Sequence, residues 1–207
     1  MECIQYSSLR DRWKIHEIIL NEIKLPLANH HLSNKNSRIY LLGMMGVGKS
    51  TIGKKMASIL GYQFIDLDKL IEKKEGKTIA QIFELLGEDY FRQIESEILK
   101  TINDAKTIIA TGGGTPCFYN NIHYIKESGI SIYLKANSKL IFQRIIRCPN
   151  KRPLLKGKSE DEISSYILQK MVEREPFYLQ SDYVFEIPSS SAESIVKSIL
   201  LQVYDIC

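Results

Sequence analysis

The chain has 207 residues, a net charge of +4 at pH 7 and a pI of about 8.7, with 44% hydrophobic and 25% charged residues. This balance is typical of an ordinary folded domain and excludes a chain that is disordered or fibrous throughout. The sequence has no apolar run long enough to cross a bilayer, and its positive excess is smaller than that of most nucleic-acid-binding proteins.

Residues 1–37 differ from the rest and form a predicted N-terminal extension. They predict a partly helical segment that ends near Pro26, because apolar residues recur every three or four positions. These residues are Leu9, Trp13, His16, Leu20, Ile23 and Leu27. The extension resembles neither a secretory signal nor a transit peptide. Since the four cysteines show neither metal-ligand nor paired spacing, we expect reduced thiols and a cytoplasmic protein.

From residue 38 onward, short apolar runs alternate with amphipathic stretches. The runs predict strands at 38–42, 62–67, 107–111, 130–134 and 183–187. The stretches predict helices at 49–60, 68–74, 79–86, 88–102, 120–127, 139–147, 161–175 and 192–203. This alternation predicts an α/β domain with a parallel sheet that helices cover on both faces. Ligands of such sheets bind at the carboxyl ends of the strands.

Residues 43–50, Gly-Met-Met-Gly-Val-Gly-Lys-Ser, match the phosphate-loop pattern G-x-x-x-x-G-K-[ST] between a predicted strand and helix. The glycines let backbone N–H groups surround phosphate oxygens, and the helix N-terminus adds partial positive charge. The alternative is a glycine-rich turn without a nucleotide. We predict that ATP or GTP binds with Mg²⁺, with Lys49 on the outer phosphates and Ser50 on the metal. The expected contacts are Gly46, Val47, Gly48, Lys49, Ser50 and Thr51.

A missing motif and the short chain favour one class of nucleotide-binding protein over two others. No Asn-Lys-x-Asp motif is present to recognise guanine. The chain is also shorter than most motor domains. A small-molecule kinase is therefore favoured over a GTPase or a motor.

Acceptor-side residues follow the second and third predicted strands. Asp66 and Asp68 alternate along the chain and so point to the same side. One carboxylate suits hydrated Mg²⁺, and the other can accept hydrogen bonds from substrate hydroxyls and the proton of the attacking one. The alternative is that Asp68 only caps the next helix. Gly112, Gly113 and Gly114 predict either a substrate wall or a plain turn.

Basic residues complete the candidate site. Arg92 has Glu95 one helical turn away, where a carboxylate can orient the guanidinium group. Arg174 precedes Pro176, which we expect to end the helix. Each arginine either binds substrate or is a surface charge. Residues 144–158 contain six basic residues and no acidic one, as expected of a mobile lid that closes over phosphates and excludes water.

These motifs occur together, in this order and spacing, in shikimate kinases, which the chain resembles over roughly residues 38–207. The motifs are residues 43–51, 64–68, 91–95, 112–114, 152–155 and 174–178. The resemblance implies a three-layer P-loop kinase fold with a five-stranded parallel sheet and a mobile lid at about residues 148–158. It implies transfer of the γ-phosphoryl group of ATP to the 3-hydroxyl of shikimate, toward chorismate and aromatic amino acids, by a monomer.

The resemblance also implies roles for single residues. Asp68 is expected to hold shikimate hydroxyls, and Arg92 and Arg174 to clamp its carboxylate through paired hydrogen bonds. Glu95 is expected to support Arg92. The implied substrate-binding set is Asp68, Arg92, Gly112, Gly113, Gly114 and Arg174, with Gly113 acting through its backbone.

On the ATP side, the resemblance implies that Arg152 moves from the lid onto the phosphates. Ser50 and Asp66 are expected near Mg²⁺. The implied catalytic set is Lys49, Asp68 and Arg152. The adenine contacts are expected from Ser190 and from either Arg144 or Arg147.

Two other functions remain open from the residues alone. A related small-molecule kinase, such as one resembling gluconate kinase, gives no reason for two arginines aimed at one carboxylate. A nucleotide-binding module without activity predicts the loss of Lys49, Asp68 or an arginine, and all are present. No nucleic-acid or membrane partner is expected.

Overall fold

The structure is a computed structural model that describes residues 38–147, 157–187 and 191–203. The predicted extension, Arg152, Ser190 and most of the predicted lid lie outside these described residues. Within the described ranges, none of the helices combines the length and the apolar character needed to span a membrane.

Five parallel strands form a single sheet. In chain order they are β1 (Arg38–Leu42), β2 (Gln63–Asp66), β3 (Thr107–Ala110), β4 (Ile130–Lys135) and β5 (Tyr183–Glu186). Across the sheet the order is β2-β3-β1-β4-β5. Every residue of β1 and β3 is buried. This is the expected consequence of a parallel sheet with helices on both faces.

Seven helices accompany the sheet in the described residues. They are α1 (Lys49–Leu60), α2 (Leu67–Glu75), α3 (Ile79–Thr101), α4 (Asn121–Ser128), α5 (Ser138–Ile146), α6 (Glu160–Tyr178) and α7 (Ala192–Val203). A short 3₁₀ turn, Thr115–Cys117, follows β3. The predicted α/β architecture with a five-stranded parallel sheet is confirmed, and most element ends lie within one or two residues of their predicted positions.

Helix α3 is divided by a sharp break at Gly87. This residue has φ 84° and ψ 171°, a conformation that is essentially restricted to glycine. The break separates the two helices predicted from the sequence, although hydrogen bonding joins them into one element. It lets Phe83 and Phe91, one in each half, pack with their ring centroids 4.7 Å apart.

Helix α6 ends later than the sequence predicts. We expected Pro176 to end it, but the helix continues to Tyr178. Proline removes its own N–H donor and crowds the carbonyl group four residues earlier, but Leu179 N–H still donates to Glu175 O at 2.9 Å. The fully buried Tyr178 side chain anchors this last turn.

The sheet order brings the candidate motifs together. β1 leads into the phosphate loop, β2 into Asp66 and Asp68, and β3 into Gly112. These three strands are neighbours and run parallel. Their carboxyl ends therefore form one side of a common cleft.

The break in α3 generates a stability prediction. Gly87→Ala should lower the free energy of unfolding by about 2 to 3 kcal/mol through backbone strain. An added methyl would meet no atom within 4 Å, so steric overlap would not contribute. Gly61→Ala is the matched control, because Gly61 is equally open but has φ 67° and ψ 31°. That left-handed helical conformation costs alanine only about 1 kcal/mol. Urea unfolding measures the loss of unfolding free energy in both variants. Equal losses would contradict the assignment of a glycine-only conformation to Gly87.

Candidate active site

The phosphate loop has a backbone that requires glycine. Gly43, Gly46 and Gly48 have φ values of 131°, 81° and 108°, which side-chain-bearing residues rarely adopt. A Cβ atom added to Gly43 would also lie 2.6 Å from the carbonyl oxygen of Leu134. α1 begins at Lys49. Its first N–H groups therefore face the loop, which is the arrangement that binds anions.

Two side chains at the start of α1 occupy functional positions. Lys49 is only 9% exposed and donates from Nζ to the carbonyl oxygens of Gly43 (2.6 Å) and Met44 (3.1 Å). The ammonium group thus lies over its own loop. Ser50 Oγ donates to Asp66 Oδ2 at 2.7 Å. This bond connects the phosphate loop to the end of β2.

Asp66, rather than Asp68, caps α2. The backbone N–H of Lys69 donates to Asp66 Oδ1 at 3.4 Å. The alternative in which Asp68 only caps a helix is therefore wrong, because the preceding aspartate has that position. The Asp68 carboxylate instead points toward the end of β3, where its Oδ1 lies 2.9 Å from the position of a Cβ added to Gly112.

Asp68 has a raised pKa. The protein packed around it raises its pKa to about 6, and the negative charges of Glu95 and Asp66 act in the same direction. The positive charges of Lys49 and Arg92 oppose the shift. Part of the Asp68 residue is nevertheless exposed to solvent. Water there screens these charges and moderates the rise.

Gly112 and Gly114 provide space for charged side chains. A Cβ atom added to Gly112 would lie 2.6 Å from Glu95 Oε1 and 2.9 Å from Asp68 Oδ1. A Cβ atom added to Gly114 would lie 2.7 Å from the guanidinium group of Arg92. The sequence left a plain turn and a substrate wall as alternatives. The close approach of three charged groups favours the wall.

Gly113 meets the second predicted arginine. Arg174 is 8% exposed, and its Nη1 lies 3.1 Å from the position of a Cβ added to Gly113. The Tyr178 hydroxyl donates to the carbonyl oxygen of Gly113, and its ring centroid is 5.0 Å from that of Tyr133. Burial raises the pKa of Tyr178, which keeps it neutral. Tyr178 therefore fixes the end of α6, and with it Arg174, against Gly113.

Arg92 is held by two carboxylates and an aromatic ring. Its Nη1 donates to Glu95 Oε2 at 2.9 Å, and its Nη2 donates to Glu88 Oε1 at 2.9 Å. The guanidinium carbon lies 4.5 Å from the ring centroid of Phe118, within cation–π range. The predicted support from Glu95 is present. Sequence reasoning missed Glu88, although its position four residues before Arg92 was an available signal.

Glu95 is fully buried beside these arginines. Burial raises its pKa, while Arg92, a hydrogen bond from Thr115 and the charge of Arg174 lower it. Thr115 Oγ1 donates to Glu95 Oε1 at 2.6 Å. Sequence reasoning also missed Thr115, because nothing in the pattern around it distinguishes a buried donor from an ordinary turn residue.

A cavity of about 210 Å³ lies between the phosphate loop and α7. Its lining residues are Gly46, Val47, Gly48, Thr51, Ile52, Arg144, Ala192 and Ile195. Arg144 Nη1 donates to the carbonyl oxygen of Val47 at 2.6 Å. Of the two predicted adenine contacts, Arg144 therefore lies against the loop, whereas Arg147 follows the last residue of α5.

The oxygen atoms of Ser50 and Asp66 fit a magnesium ion. Mg²⁺ takes few protein ligands and fills its remaining positions with phosphate oxygens and water. Among the described residues, no group of three or more His, Cys, Asp or Glu side chains forms a dedicated metal cage. A hydroxyl and a carboxylate 2.7 Å apart at the phosphate loop supply the expected oxygen donors.

The family profile and the similar curated relatives are those of shikimate kinases. The profile of the family described as shikimate kinase matches residues 45–204. A shikimate kinase of Azobacteroides pseudotrichonymphae is 42% identical over 165 residues, which cover 79% of this chain and 97% of the relative.

Solved structures give the same result. The crystal structure of shikimate kinase from Bacteroides thetaiotaomicron has a TM-score of 0.76 at 36% identity, covering 81% of this chain and 98% of that one. The shikimate kinase of Acinetobacter baumannii in complex with shikimate has a TM-score of 0.77 at 33% identity, covering 83% and 95%.

The contact between Gly114 and Arg92 predicts a measurable coupling. Gly114 has φ −98° and ψ −13°, which alanine adopts without strain. Gly114→Ala should lower the free energy of unfolding by about 1 to 3 kcal/mol, because the methyl group displaces the guanidinium group. In an Arg92→Ala background the same substitution should cost less than about 0.5 kcal/mol. A double-mutant cycle from urea unfolding measures this difference. If Gly114→Ala lowered the free energy of unfolding equally with and without the Arg92 side chain, the close contact between Gly114 and Arg92 would be contradicted.

Proposed function

The chain belongs to the shikimate kinase family. We propose that the residues described above bind shikimate and ATP and transfer the phosphoryl group as follows. The enzyme is a phosphotransferase with an alcohol acceptor, and it serves aromatic biosynthesis. The observation that carries the residue assignments is the convergence of the phosphate loop, Asp68 and two buried arginines around Gly112–Gly114.

Arg92 and Arg174 bind the shikimate carboxylate. Both guanidinium groups are almost fully buried, so much of their desolvation and ordering cost is met when the protein folds. They lie against successive glycines, Gly114 and Gly113. A planar guanidinium group suits a carboxylate because it offers two parallel N–H donors. The backbone of Gly112–Gly114 forms the wall beside them.

Asp68 binds the hydroxyls of shikimate in its ionised form. Its raised pKa makes it a better proton acceptor than an ordinary aspartate while leaving it mostly ionised at pH 7. The 3-hydroxyl oxygen attacks the γ-phosphorus, the new O–P bond forms, and the bond to the bridging oxygen of ADP breaks. Asp68 accepts the hydroxyl proton as this happens, and ADP leaves with the bonding electrons.

Lys49 and the loop N–H groups bind the phosphates of ATP. Lys49 Nζ exchanges a carbonyl partner of its loop for a phosphate oxygen. Ser50 and Asp66 hold Mg²⁺, which neutralises phosphate charge when bound. Thr51 and Arg144 line the adjoining cavity, where the nucleoside part of ATP binds.

The proposal extends to positions outside the described residues. Arg152, in the predicted lid at 148–158, adds positive charge beside the transferred phosphoryl group and is the third catalytic residue with Lys49 and Asp68. Ser190 contacts the nucleotide. The catalytic domain is residues 38–207, preceded by the extension at 1–37, and it acts as a cytoplasmic monomer.

A coupled ADP-release assay with shikimate, quinate and gluconate tests the function and the clamp together. The full chain should release ADP with shikimate and not with gluconate. Arg174→Lys keeps the charge but loses the forked donor, so the KM for shikimate should rise about tenfold while the KM for ATP stays within about twofold. The KM for ATP is the internal control, because Arg174 lies against Gly113 and not in the cavity beside the phosphate loop. Turnover with gluconate but not with shikimate would contradict the proposed function. An unchanged KM for shikimate in Arg174→Lys would exclude Arg174 from binding the carboxylate.

The raised pKa of Asp68 predicts a pH dependence. Below the pKa of about 6, Asp68 takes up a proton and can no longer accept both hydrogen bonds and the hydroxyl proton. The kcat/KM for shikimate should therefore fall about tenfold per pH unit on the acid side of this value. Asp68→Asn should be much less active and should lack this acid limb. A profile for the parent chain that stays flat from pH 7 to pH 5 would exclude Asp68 from this role.

A further inference from the structure

A buried hydrogen-bonded chain lies behind the proposed substrate clamp. Ser96 Oγ donates to Asn121 Oδ1 at 2.7 Å, and Asn121 Nδ2 donates to the carbonyl oxygen of Thr115 at 3.0 Å. Thr115 Oγ1 then donates to Glu95 Oε1 at 2.6 Å. All four residues are at most 3% exposed. The chain connects α3, the 3₁₀ turn and the start of α4.

This chain ends on the carboxylate that holds Arg92. The two oxygens of Glu95 have different partners, since Oε1 accepts from Thr115 and Oε2 accepts from Arg92. A carboxylate with both oxygens bound has a fixed plane. That plane, together with the Glu88 carboxylate, sets the direction of the Arg92 guanidinium group, which lies against Gly114.

We propose that Thr115, supported by Asn121 and Ser96, is a positioning residue for shikimate binding. Its hydroxyl fixes Glu95 so that Arg92 presents its donors to the substrate carboxylate. This inference rests on the function proposed above and adds a residue that does not itself touch the substrate.

Glu95 Oε1 is a buried acceptor that receives a hydrogen bond from the Thr115 hydroxyl. Without the Thr115 hydroxyl, Glu95 Oε1 loses its donor in a site that water does not reach, and an unsatisfied buried acceptor is costly. Glu95 would then rotate or take up a proton. The charges that face it are Arg92 on its own helix, Arg174 on α6 and Asp68 on α2. Either change would weaken the hold on Arg92.

The test compares two buried threonines in the full chain. Thr115→Val removes the hydroxyl at nearly constant volume, and Thr115→Ser keeps it. Thr107→Val is the matched control, because Thr107 is also fully buried but its hydroxyl donates to Ala105 O at 3.2 Å, near the start of β3. The measurements are kcat, KM for shikimate, KM for ATP and Tm.

Thr115→Val should raise the KM for shikimate about tenfold and leave the KM for ATP within about twofold, as expected when a hydrogen bond to a charged group is lost. Thr115→Ser should restore the KM to within about threefold of the parent value, and Thr107→Val should leave both KM values unchanged. The inference is overturned if Thr115→Val leaves the KM for shikimate unchanged, if both KM values rise together, or if Thr115→Ser is as damaging as Thr115→Val.

Ser96→Ala keeps the inference testable if Thr115→Val does not fold. It removes only the distant donor to Asn121, and it should raise the KM for shikimate about threefold with the KM for ATP unchanged. In that case an unchanged KM for shikimate would overturn the inference, because the hydrogen-bonded chain would then have no effect on substrate binding. Failure of these predictions would leave shikimate turnover by the parent chain intact. It is therefore distinguishable from failure of the proposed function, in which the parent chain itself shows no such turnover.

Discussion

The missing side chains of Gly112, Gly113 and Gly114 are the constraint on which the site depends. A methyl group at each position would overlap or crowd a different set of polar groups. At Gly112 these are the carboxylates of Asp68 and Glu95, at Gly113 the guanidinium group of Arg174, and at Gly114 that of Arg92. Since β3 is central to the β2-β3-β1 part of the sheet, these glycines lie between the phosphate loop and Asp68. One short segment thus sets the distances among charged groups that come from three helices, α2, α3 and α6.

Burying these charges together is costly unless each has a partner. The fold meets this requirement by placing anion and cation side by side, with Arg92 between Glu88 and Glu95 and with Arg174 near Glu95. The arginines are consequently ordered before substrate arrives. A shikimate carboxylate then meets donors whose orientation is already fixed, which favours binding because little further ordering is needed. Burial of Asp68, with the added effect of the nearby Glu95 and Asp66 carboxylates, raises its pKa and suits it to accept a proton.

The sequence predicted best those features that depend on residues close together in the chain. Local pattern and family resemblance predicted the phosphate loop and the sequence of strands and helices along the chain. They also pointed to Asp66, Asp68, Arg92 and Arg174. Pro176 misled the prediction of where α6 ends, because the anchoring of Tyr178 depends on packing against Gly113 and Tyr133. Thr115 was missed for a similar reason. Its hydroxyl meets Glu95, 20 residues earlier in the chain, and only the folded structure shows that contact.

A crystal structure of the chain with shikimate and ADP bound would show whether Arg92 and Arg174 hold the substrate carboxylate beside Gly112–Gly114. Our account predicts that the shikimate carboxylate lies within hydrogen-bond distance of both Arg92 and Arg174, and that a hydroxyl lies within the same distance of Asp68. Glu95 should remain bonded to Arg92 and Thr115, with Gly112–Gly114 unchanged. A complex in which the carboxylate binds away from these arginines, or in which Arg92 leaves Gly114 to reach it, would contradict the account.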